Sequence, residues 1–268
     1  MSVPRENAGA LVRFEPSPPA TNRTASRRFM IESALDGVLL VDKAKGMTSH
    51  DVVAIVRRAL GTRKIGHCGT LDPLATGLLI LVIGRGTKIQ DLLMAEDKEY
   101  VGTMLLGMTT DSQDADGAIV ETRPVPEFAR EQLDAAFRKF HGDFYQLPPM
   151  VSAIKKEGVP LYKLARQGKT VEREPRLVHV YAHDINAVRL PEIDFRVVCS
   201  KGFYVRTYAF DIGNELGCGA HLKELRRTKS GRFTLEHSVT VHDLKTQPAE
   251  VIARSILTLP AVSRMRGA

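Results

Sequence analysis

What this sequence lacks narrows its chemistry first. Its cysteines, Cys68, Cys199 and Cys218, lie far apart and form no CxxC pair. That argues against a zinc ribbon or a disulfide framework and fits a reducing compartment, so a cytoplasmic protein is expected. There is no HExxH and no His/Cys ligand set, so no catalytic metal is expected. No apolar run reaches the ~18 residues of a membrane span. GLLILVIG (77–84) is too short and reads as a buried strand. No apolar h-region opens the chain, and Glu6, Glu15 and Glu32 weaken a transit-peptide reading of its arginines. Acids are also scarce: 31 Asp and Glu face 38 Lys and Arg, a net charge of +7. That surplus favours an anionic partner, nucleic acid ahead of a membrane surface.

What is present suffices for one large domain with a core: 268 residues, 43% of them hydrophobic. Residues 1–34, with EPSPPATNRTASRR, have no apolar periodicity and are expected to form a disordered lead. The folded domain is expected over 35–238, and 239–268 is too short a tail for a domain of its own. GVLLVDKAKG reads as a strand ending in a basic loop. In TSHDVVAIVRRALG, Thr48 and Asp51 form a capping box. Val52, Val53, Val56 and Leu60 share a helical face, and Gly61 stops the helix. KIQDLLM reads as a short helix and KEYVGTMLLGM as a strand. PEFAREQLDAAFRKFHG is an amphipathic helix, with Phe128, Leu133, Phe137 and Phe140 on its apolar side. PLYKLARQGK reads as a short basic helix. RLVHVYAHDINAV and IDFRVVCSKGFYVRTYAF read as strands, and DIGNELG and HLKELRRT as helices. Strands and helices mix without βαβ alternation, so the fold class is α+β with a mainly antiparallel sheet.

Several motifs fail on spacing. Ser49, His50 and Asp51 are neighbours on a helix and point apart, so they form no hydrolase relay. SQDADG, counted as a calcium loop from Ser112, puts Arg123 where a bidentate Glu is needed, which leaves an acidic turn. VIGRGTK matches neither GxGxxG nor GxxxxGK[ST].

Asp72, in GHCGTLDPLATGLL, is different. Pro73 pushes it towards an extended conformation, while Gly69 and Gly77 permit tight turns and close approach of a ligand backbone. A carboxylate presented this way serves as nucleophile or base, although an aspartate that merely bridges the turn has the same sequence. Arg63, Lys64 and His67 suit phosphate and base contacts. Tyr100 stands beside Lys98, and Lys201, Tyr204 and Arg206 follow in CSKGFYVRTYAFDIG. Strand alternation puts Tyr204 and Arg206 on one face. An aromatic for a base, an arginine for a carboxylate and lysines for phosphates make an RNA site. Taken singly, each tyrosine also fits a core edge and the arginine a surface ion pair.

Together with KAKGMTSHD, DKEYVGTMLLGMTTDSQDADG, QLPPMVSAIKKEGVPLYKLARQG and LKELRRTKSGRF, these blocks resemble the TruB family of tRNA pseudouridine synthases. The resemblance implies a mixed, largely antiparallel sheet flanked by helices, with an RNA site in a central cleft. It implies conversion of uridine 55 in the TΨC loop of tRNA, the T-arm, to pseudouridine, with no cofactor or metal. Asp72 would be the nucleophile, and Tyr100 would stack on the flipped uracil. Tyr204 would pack on the base, with a part in removing the C5 proton. Arg206 would pair with Asp72, His67 would fill the gap left by the flipped base, and Leu225 would line the uracil pocket. EGVPLYKLARQGKTVEREPR resembles the RNA-gripping insertion of bacterial-type members, which guide-RNA-dependent relatives lack. Too little follows Phe233 for the extra RNA-binding module of many members. The expected partner is tRNA and the expected state a monomer. Three chemical routes stay open: attack at C1′, a glycal formed through C2′, and addition at C6. The alternatives are a non-catalytic RNA-folding chaperone and a nucleotide-dependent enzyme built on VIGRGTK.

Overall fold

The computed structural model describes residues 35–152, 155–156, 159–160 and 171–267. The expected N-terminal lead and the basic helix PLYKLARQGK lie outside or largely outside the described residues, as does most of the 157–176 insertion. From Leu35 onward the chain packs as one unit.

Two apolar runs form its centre. β1 (Gly37–Lys43) leads through α1 (Ser49–Leu60) and β2 (Ile65–Cys68) to β3 (Thr76–Ile83). β1 and β3 pair antiparallel, Val41 opposite Leu79. Alternate residues feed two cores: Leu39, Val41, Leu79 and Leu81 enter one, and Val38, Leu40, Ile80 and Val82 the other. Burial on both faces explains why these strands are continuously apolar. The Thr48 hydroxyl accepts from the Asp51 N–H at 3.1 Å, and Asp51 Oδ2 accepts from the Thr48 N–H at 2.8 Å. The four apolar residues expected on one face of α1 are buried, and Gly61 ends the helix at φ 64°.

A 3₁₀ turn and α2 (Gln90–Met94) precede β4 (Lys98–Leu106), β5 (Met108–Thr110), β6 (Ile119–Thr122), α3 (Arg130–Arg138) and β7 (Gly142–Gln146). The short pair β8 (Lys155–Lys156) and β9 (Val159–Pro160) is followed by β10 (Arg176–Arg189), β11 (Glu192–Cys199), α4 (Val205–Glu215), β12 (Ala220–Ser230) and β13 (Phe233–Thr234). The chain closes with β14 (Val239–Thr240), α5 (Val241–Thr246), α6 (Ala249–Arg254), β15 (Leu257–Thr258) and α7 (Leu259–Arg266). The main sheet runs β14-β1-β3-β12-β4-β11-β10-β7, with β2 on β3, β13 on β12 and β15 on β1. The β1–β14 and β3–β12 pairs are parallel and its other pairings antiparallel. The fold is therefore α+β, with a mixed, mostly antiparallel sheet. Phe137 of α3 meets Phe195 of β11 and Tyr208 of α4 edge-on, so both helices share one face of the sheet. Among the described residues no helix is long and apolar enough to cross a membrane.

Two elements differ from the sequence reading. HLKELRRT is the middle of β12, not a helix. A bulge between Leu222 and Glu224 sets the buried Leu222 and Leu225 three residues apart, a spacing that imitates a helix. VRTYAF begins α4 instead of continuing a strand. Its aromatic and β-branched composition suggests a strand, but Val205, Tyr208, Ala209 and Ile212 are buried at helical spacing, and Tyr204 is the N-cap. Strand alternation is therefore not what orients Tyr204 and Arg206.

Candidate active site

The Asp72 turn is fastened from four directions. Buried Ser49, on the first turn of α1, accepts from the Leu71 N–H at 2.8 Å and donates to the Leu71 carbonyl at 3.1 Å. The Gly46 N–H donates to the Pro73 carbonyl at 2.8 Å. Lys43 Nζ donates to the Met47 carbonyl at 2.7 Å and the Ala44 carbonyl at 3.0 Å, and reaches the Pro73 carbonyl at 3.5 Å. From β12, buried Arg227 donates through Nε to the Leu78 carbonyl at 2.7 Å and through a terminal N–H to the Gly69 carbonyl at 3.2 Å. At Gly77, φ is 95° and an added Cβ would lie 2.3 Å from the Arg227 carbonyl oxygen. The close approach that glycine permits here is that of the protein's own strand.

This frame leaves the Asp72 side chain 40% exposed, facing Arg206, which is only 3% exposed. Arg206 Nε lies 2.9 Å from Asp72 Oδ2 and 3.6 Å from Oδ2 of Asp114. The N–H meets neither in hydrogen-bond geometry, so these are ion contacts rather than directed bonds. The directed bonds are made by the terminal nitrogens, to the Ser112 carbonyl at 2.8 Å and the Val151 carbonyl at 2.7 Å. They fix the plane of the guanidinium. Asp114 is itself held by the Ser112 hydroxyl at 2.5 Å and the Asp116 N–H at 3.1 Å.

Asp72, Tyr100, Tyr204, Arg206 and Leu225 line one cavity of about 610 Å³, with Lys98 and Lys201 also in its wall. Five of the six site residues expected from sequence thus meet. Tyr100 comes from β4, and burial pushes its phenol pKa up, against the nearby Arg227 cation. Tyr204 is clamped through its backbone: its N–H donates to Gln146 Oε1 at 2.7 Å, and its carbonyl accepts from Gln146 Nε2 at 3.0 Å. Burial raises its phenol too. Burial pushes the Lys43 ammonium down to about 8, with the Asp72 carboxylate pulling the other way. Lys98 falls to about 8 for the same first cause, with Arg227 adding to it.

The sixth residue, His67, does not line this cavity. It lies on β2 with its ring edge-on to His50 at 5.1 Å. Burial, then the neighbouring His50 and Arg227, lower its pKa to about 4, so it is neutral at physiological pH. Sequence reasoning missed Asp114, Ser49, Gln146 and Arg227 as supports of the site. The SQDADG turn contained the signal for Asp114, as an acid in a segment with no other assigned role. Among the described residues no group of three His, Cys, Asp or Glu side chains is placed to hold a metal. Chemically, the cavity offers a carboxylate ion-paired to a fixed cation, between aromatic and aliphatic walls.

A family model described as TruB family pseudouridylate synthase (N terminal domain) matches residues 57–205, and one described as tRNA pseudouridylate synthase B C-terminal domain matches residues 206–258. The tRNA pseudouridine synthase B of Opitutus terrae is 54% identical over 223 residues, which cover 83% of this chain and 92% of that protein. The protein of the same name from Burkholderia lata is 50% identical, covering 84% of this chain and 70% of its own length. Among solved structures, a Cbf5-Nop10-Gar1 complex matches with a TM-score of 0.68 and 29% identity, covering 88% of this chain and 64% of that one. An H/ACA RNP bound to a substrate RNA containing 2′-deoxyuridine matches with a TM-score of 0.60 and 28% identity, covering 85% and 58%. The chain thus spans less than two thirds of the length of these two structural neighbours.

Proposed function

Since the chain belongs to the TruB family of pseudouridylate synthases, we propose that it is a tRNA-modifying isomerase that converts uridine 55 in the TΨC loop to pseudouridine, with Asp72 as the catalytic carboxylate. The observation that carries this reading is the contact of Asp72 with buried Arg206 at 2.9 Å, inside a cavity walled by Tyr100, Tyr204 and Leu225.

The chemistry makes specific demands. The N1–C1′ bond breaks, the uracil turns, C5 bonds to C1′, the C5 proton leaves and N1 gains one, so no atom is lost overall. Every route starts from an ionised carboxylate: attack on C1′, removal of the C2′ proton to a glycal that later regains it, or addition at C6. Arg206, fixed by its bonds to the Ser112 and Val151 carbonyls, lies 2.9 Å from that carboxylate and aims it. The uridine must leave its stack to reach Asp72, at a cost of about a few kcal/mol. Tyr100 and Tyr204 give the extruded ring a surface to lie against, and Leu225 closes the pocket.

The test is Asp72→Asn with a tRNA transcript carrying 5-³H-uridine. Tritium release should be abolished while the Kd for tRNA stays within roughly tenfold, or about 1.4 kcal/mol. Primer extension after carbodiimide treatment should stop at position 55 with the unsubstituted protein alone. Tritium release retained by the Asn variant overturns the assignment of Asp72. Tight tRNA binding with no release from the unsubstituted protein is the behaviour of an RNA-folding chaperone instead.

A further inference from the structure

The basic residues just past α1 take no part in the Asp72 cavity, yet they form a surface of their own. Arg57, Arg58, Gly61, Thr62 and Arg63 surround an open groove of about 620 Å³ with no acid in its lining. We propose that this groove is a binding site for the phosphodiester backbone of the substrate RNA. The inference rests on the RNA substrate proposed above and names a second place where the protein grips it.

Four observations carry it. The first is that all three arginines are exposed, and neither the Arg58 nor the Arg63 side chain makes an ion pair or hydrogen bond among the described residues. The three line one groove whose wall holds no acid. A second is that Arg57 donates to the Ile65 carbonyl at 3.2 Å. That bond folds the 61–64 loop back over the helix end, which gives the groove its curvature and leaves the remaining N–H donors of Arg57 free. A third is that an added Cβ at Gly61 would meet no atom within 4 Å, so no side chain blocks approach to the floor. The fourth is residue type: the planar guanidinium fork matches two phosphate oxygens at once, which a lysine cannot do.

Helix electrostatics explain only part of this. Arg57 and Arg58 lie in the last turn of α1, where cations complement the dipole. Arg63 lies beyond the helix and gains nothing from that effect. The groove is also within reach of the chemistry. Asp72 is nine residues after Arg63, at most roughly 32 Å along a fully extended chain. An RNA segment on one side of the extruded uridine spans that distance.

The test is the double variant Arg58→Gln/Arg63→Gln, which spares the bonded Arg57. The Kd for the tRNA transcript is measured at several salt concentrations, and turnover at saturating tRNA serves as the control. Each phosphate that is no longer neutralised should lower the slope of log K against log salt by about 0.7–0.9. The pair should therefore reduce the slope by about 1.4–1.8 and weaken binding roughly 25- to 60-fold at 0.1 M salt. Turnover at saturation should not change. The Arg58→Lys/Arg63→Lys variant should keep most of the slope, because it keeps the charge, and the single variant Arg63→Gln reports outside the helix if the double variant folds poorly. A slope unchanged in both Gln variants overturns the proposal. If the unsubstituted protein released no tritium, the function proposed above would fail, while the salt slope would still report on the groove.

Discussion

Replacing Arg206 with lysine should abolish most of the turnover without unfolding the protein. Four groups converge on this side chain: the carboxylates of Asp72 and Asp114 as ion contacts and the carbonyls of Ser112 and Val151 as hydrogen-bond acceptors. The guanidinium reaches all four because its nitrogens are spread over a rigid plane. A lysine ammonium is a single point with three donors and cannot span the two carbonyls while touching Asp72. The charge stays, so Asp114, which is 7% exposed, keeps a cation nearby, and the larger penalty for orphaning a buried carboxylate is avoided. What is lost is aim. Two charge-assisted contacts at about 1.5–2 kcal/mol each amount to about 3–4 kcal/mol, or roughly 10²–10³-fold in rate. Single-turnover tritium release at saturating tRNA reads this directly. Thermal unfolding separates it from general damage, since a chain this size shifts by about 2–4 °C for each kcal/mol lost. An Arg206→Lys enzyme within about threefold of the original rate would mean that charge alone suffices, and the argument from the guanidinium plane would be wrong.

Three further outcomes follow from the same frame. Ser49→Ala removes both partners of the Leu71 backbone and should cost about 1–3 kcal/mol of stability and lower the turnover number, with tRNA affinity unchanged; denaturant unfolding and kcat check the two halves, and an unaltered kcat refutes the positioning role. Lys43 has a folded pKa of about 8 against an ordinary 10.5, so between these values the unfolded chain holds the extra proton and stability rises with pH, by at most about 1.4 kcal/mol per unit. Below pH 8 both states are protonated and this contribution is flat. Lys43→Met should lack that rise, and unfolding free energies at pH 7.5 and 9.5 measure the difference; equal pH dependence in the two proteins contradicts the burial argument. Asp72→Asn should behave as set out above, with catalysis lost and binding kept.

The parts of this molecule that were legible in the sequence are those whose causes are local. Thr48 and Asp51 are three residues apart, so the start of α1 could be read directly. LLILVI could be read because two-sided burial leaves a continuous apolar run. Asp72 stood out through Pro73 and the flanking glycines. What was hidden depends on distance along the chain. Asp114 reaches Arg206 across a turn that looks like ordinary acidic surface, and Gln146 holds Tyr204 from a different strand. The β12 bulges shifted its apolar residues to a helix-like interval, and the start of α4 carries side chains that favour strands. In both cases the partners, Met104 and Gly102 across the sheet for β12 and the aromatic cluster around Tyr208 for α4, decided the conformation against local preference.

Arg227 has one more implication. A single guanidinium from near the end of the chain ties down both margins of the Asp72 turn, at Gly69 and at Leu78. A nascent polypeptide emerging from the ribosome would expose its aspartate long before it possessed the strap that orients it. Chemical competence should therefore arrive late in synthesis, when β12 slots between strands already made. Fragments that end short of that strand should be inert even though they contain Asp72 and Arg206.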